Sequence, residues 1–255
     1  MIVKNNIDKK ETSTKKRSQL KSTWIRFKRN KLAMFGLVIL SILIVLAILA
    51  PVIVDYEEAI NLNVQNRFER PSSEYLLGTD HFGRDLFARI IFGARYSLFA
   101  GLMSVLIASI IGTLIGAIAG YYGGIVESIL MRIIDVVMAL PSFLLAISIV
   151  AALGSGLPNL VIAISISFIA PFARIIRSSV LSIRNQEFIE AAIANGTPNR
   201  RIIVKHVIPN SIGPLLVQAT LSIGEAILLI SGLSFLGLGV QPPTPEWGSM
   251  LSDAR

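Results

Sequence analysis

The sequence contains no cysteine, only two histidines and two tryptophans, and no Gly-Lys dipeptide. Each absence removes a class of chemistry. Without cysteine there is no disulfide, thiolate metal site or redox motif. Without Gly-Lys no P-loop can be written, so the chain does not hydrolyse nucleotide by that route. No H-E-x-x-H, G-x-S-x-G or His/Cys cluster occurs either, which leaves no recognisable catalytic constellation. Charge is scarce as well. Only 16% of the 255 residues are charged and 53% are hydrophobic, whereas a soluble domain is about 25% charged. With a mean hydropathy of +0.67, the composition describes an integral membrane protein and not an enzyme.

The placement of charge says more than its amount. Ala33 to Val54 carries none, and neither does Val136 to Ala173. A spanning helix needs roughly 20 apolar residues, so the second run holds two spans only as a hairpin. Gly154-Ser155-Gly156-Leu157-Pro158-Asn159 supplies its turn. The pattern predicts an all-α membrane protein with five spans, over 33–54, 96–119, 127–153, 160–183 and 211–240. The third starts amphipathically near Glu127 and is interrupted at Pro141.

Eleven of the 24 Lys/Arg lie within residues 1–31, and six more lie between Arg174 and Lys205. Both clusters flank apolar runs, as the positive-inside rule requires of cytoplasmic segments. The N-terminus is therefore expected in the cytoplasm, with the chain multi-pass in the cell membrane. A nucleic-acid surface would interleave its basic residues with aromatic ones, and this pattern does not, so no nucleic-acid partner is expected. Residues 1–23 read as a disordered basic tail. Segment 24–32 mixes Trp24 and Phe27 with basic residues and has two open readings, an interfacial helix or a flank that only orients the first span. The first apolar run is too long for the h-region of a signal peptide, so no cleavable leader is expected. Residues 55–95 form a polar external loop in which five arginines meet seven acids.

Between the last two spans lies a segment longer and more patterned than a connector needs, 184–210. It contains QEFIEAAIANGTPNRRIIVKHVIPN from Gln186 to Asn210. Phe188, Ile189, Ala192 and Ile193 are spaced as on one face of a helix. Gly196 is placed as a C-cap, with Pro198 two residues beyond. A second short helix can start at Pro198, carrying Ile202, Ile203 and Val207 on one side and Arg200, Arg201 and Lys205 on the other. Pro209 is expected to break the chain before the last span. Small residues at Ala191, Ala192, Ala194 and Gly196 permit close approach by another protein, so the segment reads as a docking knob.

Three further groups carry a question each. Arg132 and Asp135 stand three apart on a helix and are expected to pair. Glu225 falls about fifteen residues into the last span, where an acid is costly and usually faces an interior or aqueous path. Two readings of it stand, lining a translocation pathway or bonding to another subunit. His81, Asp80 and Asp85 make at most a weak metal signal, and no metal ligands are assigned.

Glu190-Ala191-Ala192, three residues, Gly196, nine residues and an ending in Val207-Ile208-Pro209 resemble the EAA loop of ABC importer permeases, with His206 where the general pattern has an apolar residue. Lys205-His206-Val207-Ile208-Pro209-Asn210 narrows the resemblance to the dipeptide, oligopeptide and nickel branch. So do Leu77-Gly78-Thr79-Asp80-His81-Phe82-Gly83-Arg84-Asp85, Gly93-Ala94-Arg95-Tyr96-Ser97-Leu98, Met131-Arg132-Ile133-Ile134-Asp135, Ser234-Phe235-Leu236-Gly237-Leu238-Gly239, and Gln241-Pro242-Pro243 with Trp247-Gly248. The resemblance covers residue 24 onwards.

It implies a type I importer permease fold, with a sixth family span that would follow the Trp-Gly segment and is absent from this sequence. It implies a coupling loop that docks on a cytoplasmic ATPase, carried here by Glu190, Ala191, Ala192, Gly196, Arg200, His206 and Pro209. Gly78, Asp80, Gly83, Arg84 and Asp85 would form a loop facing the binding protein. The implied partners are a second homologous permease, two ATPase subunits that hold ATP–Mg, an extracytoplasmic binding protein and membrane lipid. No cofactor is expected on this chain. The implied cargo is a di- or oligopeptide, or alternatively nickel. The rival reading is an ion-coupled secondary transporter, which predicts several intramembrane ionisable residues and broken helices in repeated halves.

Overall fold

The computed structural model describes Trp24, Ile25 and residues 27–254, so the tail 1–23 lies outside the described residues. The described residues form helices and no strands; Thr79 and Asp85 make one isolated bridge. Contacts divide the chain into two units, residues 1–45 and 46–255. In the first, Trp24, Ile25 and residues 27–29 are helical. The Trp24 and Phe27 rings stack with centroids 5.9 Å apart, and the Lys28 ammonium lies 5.4 Å from the Trp24 ring centroid. The Asn30 side chain accepts from the Ala33 N–H at 3.2 Å, capping helix α1, Lys31–Ile53.

In the second unit the polar segment 55–95, expected as a loop, is partly helical. Asp55 caps a short helix α2, Tyr56–Ile60, and a single 3₁₀ turn covers Val64–Asn66. Asp85 then caps α3, Leu86–Tyr122, by accepting from the Phe87 N–H at 2.9 Å. The span expected at 96–119 is therefore the middle of a 37-residue helix. At 1.5 Å per residue that is about 55 Å, well beyond the ~30 Å of a hydrocarbon core. Arg89 and Arg95 interrupt the apolar pattern but not the helix, which therefore begins at Leu86, ahead of the expected span.

The third predicted span needs a larger correction. It is two helices, α4 (Gly124–Met138) and α5 (Ser142–Leu153), bent by 88° at the intervening break. Pro141 has no N–H to donate and its ring excludes the preceding turn. Among the described residues, four helices are long and apolar enough to cross a membrane, or five if the bent pair counts as one. The others are α1, α3, α6 (Leu157–Ile183) and α10 (Ile212–Phe235).

The centre of the unit is α3 against α6. Gly112, Gly116 and Gly120 recur every fourth residue, so they align on one face of α3 and let the two backbones meet. A Cβ on Gly112 would stand 2.5 Å from the Phe172 Cβ, and one on Gly116 would stand 2.4 Å from the Ala173 carbonyl oxygen. Around this seam Ala100, Val105, Ile164, Phe168, Val150 and Ile230 close a core shared by α3, α5, α6 and α10.

Candidate functional site

After α6 the chain forms α7, Glu187–Ala194, whose N-cap is Gln186. Its end is a Schellman closure: the Gly196 N–H donates to the Ile193 carbonyl at 2.9 Å and the Thr197 N–H to the Ala192 carbonyl at 3.0 Å. This places Gly196 at φ +71°, which a side chain adopts only with strain. Pro198 then caps α8, Asn199–Ile202.

Beyond α8 the expectation of a chain break at Pro209 is overturned. Ile203–Val207 is a π-turn, in which the Ile208 N–H reaches the Ile203 carbonyl, and Ile208–Asn210 (α9) follows directly. Pro209 lacks the N–H that an α-helix would use, and the wider π-turn accommodates its ring without stopping the chain. The segment therefore runs almost continuously into α10.

Both limbs are fixed from beneath. Ile189, Ile202, Ile203 and Val207 are buried with Ala117, Ile176, Val180 and Ile183 in one cluster. The Arg184 guanidinium donates to the Gly120 carbonyl at 3.1 Å, and the Tyr121 hydroxyl donates to Asn199 Oδ1 at 2.9 Å. These bonds tie the C-terminal end of α3 to the end of α6 and to α8.

What remains exposed is a face with three parts. Glu187, Glu190, Ala191 and Ala194 present an acidic, small-residue edge. Arg200, Arg201 and Lys205 present a basic edge. Phe188, Ile193 and Val204 add exposed apolar area. Ala192 turns inward against the cluster, unlike Ala191 and Ala194, so the apolar face expected from spacing is split between core and surface. His206 is half-buried, its ring 6.4 Å from that of Phe188.

At the opposite end most of the motif residues expected to face the binding protein turn inward. Gly78, Gly83, Arg84 and Asp85 are buried, and the Asp80 side chain is nearly so. Arg84 is 1% exposed; it pairs with Asp80 at 2.6 Å and with Asp253 at 3.1 Å. Arg89 lies 3.3 Å from the same Asp253 oxygen and donates to the Ala59 carbonyl at 3.0 Å. Burial alone would raise the Asp80 carboxyl, but the backbone N–H groups of Arg84 and Phe82 and the Arg84 guanidinium hold it below its ordinary 3.8. Asp80 and Asp85 are thus committed to ion pairing and helix capping and are not free to ligate a metal beside His81.

Glu246 completes this end. It is fully buried, caps the final helix α11 (Trp247–Asp253) at the Ser249 N–H and accepts from the Ser97 hydroxyl at 3.0 Å. Sequence reading did not find Glu246, Arg89 or Asp253, because their partners lie some 150 positions away. Glu225 sits midway along α10, exposed, with no hydrogen bond or ion pair among the described residues.

The described residues thus form a multi-span helical protein with an anchored helical knob exposed at one end. Residues 112–255 match the family model of the binding-protein-dependent transport system inner membrane component. Residues 18–71 match the N-terminal transmembrane domain of oligopeptide transport permease C. The chain is 50% identical over 230 residues to the dipeptide transport system permease protein DppC of Alkalihalophilus pseudofirmus, covering 90% of this chain and 75% of that one. It is 46% identical over 232 residues to the glutathione transport system permease protein GsiD of Shigella flexneri, covering 91% and 77%. The Escherichia coli protein of the same name is 44% identical over the same length. The chain belongs to the binding-protein-dependent inner-membrane permeases, as an ABC importer permease of the dipeptide and oligopeptide branch.

Proposed function

We propose that this chain forms one half of the translocation pathway for short peptides, paired with a second, homologous permease. An extracytoplasmic binding protein delivers the cargo, and two cytoplasmic ATPase subunits holding ATP–Mg drive the cycle. The N-terminus and the segment 184–210 lie in the cytoplasm, as the eleven basic residues before residue 32 support. Peptide cargo is favoured over nickel because the relatives' names specify a dipeptide and glutathione.

The observation that carries this reading is the anchoring of α7. A free loop would absorb a push, whereas α7 is joined through Ile189 and the π-turn to α6 and α10, so its displacement moves the spans. ATP then acts through different contacts with the inward- and outward-facing states, as any ligand-driven shift requires. Glu190, Ala191, Ala194, Gly196 and Arg200 lie on the exposed docking face, with His206 and Pro209 shaping its second limb. Glu225 is assigned to the pathway side of α10.

An ion-coupled transporter is disfavoured because one acid deep in a span does not make a relay. The test uses the absence of cysteine: Ala194→Cys paired with single cysteines in the groove of the candidate ATPase. A crosslink whose yield changes with ATP is expected. No crosslink at 194 or its neighbours, with both proteins folded and present, overturns the proposal.

A further inference from the structure

Helix α4 does not use its charges as its sequence suggests. Asp135 pairs with Arg174 of α6 at 2.6 Å, and Glu127 pairs with Arg177 of α6. Both acids of α4 are therefore consumed by α6. Arg132, expected to pair with Asp135, has no partner among the described residues.

It lies instead on the outer side of α4, in a groove with Gly124, Ile125, Ser128, Ile129 and Ile133. Ile125 is 80% exposed, and Ile129 and Ile133 are each 57% exposed. Residues 125, 129, 132, 133 and 136 share one helical face. α4 thus joins α6 through ion pairs and offers an apolar stripe with one free guanidinium on its other side.

Its depth is set by its neighbours. α4 follows directly on the end of α3 at Gly123, and its ion pairs reach the C-terminal half of α6. That is the end from which the docking knob projects. An amphipathic helix at this level lies where acyl chains meet head groups. A guanidinium in such a stripe matches phosphate, which it can hold through two parallel hydrogen bonds, while the isoleucines lie along the chains. Basic groups on the cytoplasmic side recognise anionic head groups in this way.

We propose that the α4 groove centred on Arg132 is a binding site for the phosphate of an anionic phospholipid. The choice of leaflet rests on the orientation proposed above; the chemistry does not. The groove would couple head-group charge to α4 and, through Arg174 and Arg177, to the part of α6 that leads into the docking knob.

The test uses the assembled transporter in vesicles of phosphatidylcholine, with spin-labelled phosphatidylglycerol or spin-labelled phosphatidylcholine as the probe. Wild type and R132K are expected to restrict phosphatidylglycerol more than phosphatidylcholine. R132Q should lower the relative affinity for phosphatidylglycerol about fivefold, the effect of one basic group at a membrane surface, and leave phosphatidylcholine unchanged. Equal restriction of both lipids by wild type overturns the proposal, as does an R132Q variant that behaves like wild type. Displacement of the restricted lipid by inorganic phosphate would show a free-anion site instead. Ile129→Cys gives an independent arm that keeps Arg132. Labelling by a lipid-soluble maleimide supports the lipid site. Crosslinking to the second permease shows that protein fills the groove and overturns it.

Discussion

Arg84 and Asp253 stand 169 positions apart and meet at 3.1 Å. Their contact fastens the polar segment that precedes α3 to helix α11, and Arg89 joins it at the same carboxylate oxygen. Within the motif from Leu77 to Asp85, Gly78, Thr79, Gly83, Arg84 and Asp85 thus form a buried clamp, while Leu77 and Phe82 stay exposed. Breaking a buried pair by removing one partner costs about 3–5 kcal/mol, because the remaining charges lose their compensation. Arg84→Ala, which leaves Asp80 and Asp253 only their longer contacts with Arg89 at 3.6 and 3.3 Å, should therefore loosen α11. In a Trp24→Phe background, Trp247 is the sole reporter; its indole N–H donates to the Ile90 carbonyl at 3.0 Å. Its emission should move to longer wavelength in Arg84→Ala and much less in Asp253→Asn, whose side chain is already 24% exposed. Unchanged Trp247 emission in Arg84→Ala would show that the clamp does not hold the helix.

The same clamp has a pH dependence of known sign. Asp80 titrates below its ordinary 3.8 in the folded protein. A carboxyl depressed on folding stabilises the fold above its unfolded pKa and loses that contribution as pH falls through the folded value. The Trp247 signal should therefore be flat from neutrality down to about pH 4 and change only below it. Asp80→Asn should remove most of that acid transition. A transition centred near pH 6 would point to a histidine and not to Asp80.

Much of this architecture was legible because it is local. The charge-free runs mark the spans, and Gly196 followed by Pro198 marks the end of α7, since capping chemistry is written within a few residues. Pro141 marked a break but not its angle, because a proline removes one bond while packing decides where the next helix goes. What escaped is non-local. Nothing near Asp135 shows that Arg174, 39 positions on, outcompetes Arg132 three residues away. Likewise the acids around Arg84 look like a solvated loop until α11 closes over them. Gly112, Gly116 and Gly120 did carry a readable signal, a small residue at every fourth position, and it marks the α3–α6 seam.

That seam makes two glycines respond differently to the same change. Gly116 has an ordinary helical backbone but no room, since a Cβ would meet the Ala173 carbonyl oxygen at 2.4 Å. Gly116→Leu should prevent the helices from closing, at a cost of several kcal/mol given that overpacking alone costs about 1–3. Little folded protein should reach the membrane. Gly213→Ala, where nothing lies within 4 Å, is the control and should be recovered at wild-type levels.

Gly196 is the converse case, with open space around it but φ at +71°. A left-handed backbone costs a side chain about 1–2 kcal/mol, least for asparagine. Gly196→Val should leave the spans folded and re-aim α7, lowering the Ala194→Cys crosslink to the ATPase without lowering membrane abundance. Gly196→Asn should restore it. Equal crosslinking in all three would show that the cap does not set the aim of α7.

Glu225 lies fourteen residues into the 24-residue α10, beside Gly224 and between Leu221 and Leu228, all exposed on this chain alone. An acid at that depth facing lipid would cost roughly 2.5–3.5 kcal/mol on insertion scales for Asp, with no return. Two replacements separate the sides it can face. If α10 turned this surface to lipid, Glu225→Leu would raise thermal stability and leave uptake unchanged. Facing the pathway, its carboxylate would accept hydrogen bonds from passing cargo, each contributing about 1.5–3 kcal/mol. Glu225→Gln keeps the shape and part of the bonding but loses the charge. It should assemble normally and slow peptide uptake by about tenfold or more. Glu225→Leu should slow it further at unchanged membrane abundance. Uptake at wild-type rates in both variants would remove Glu225 from the pathway and assign its surface to contact with the second permease or to lipid.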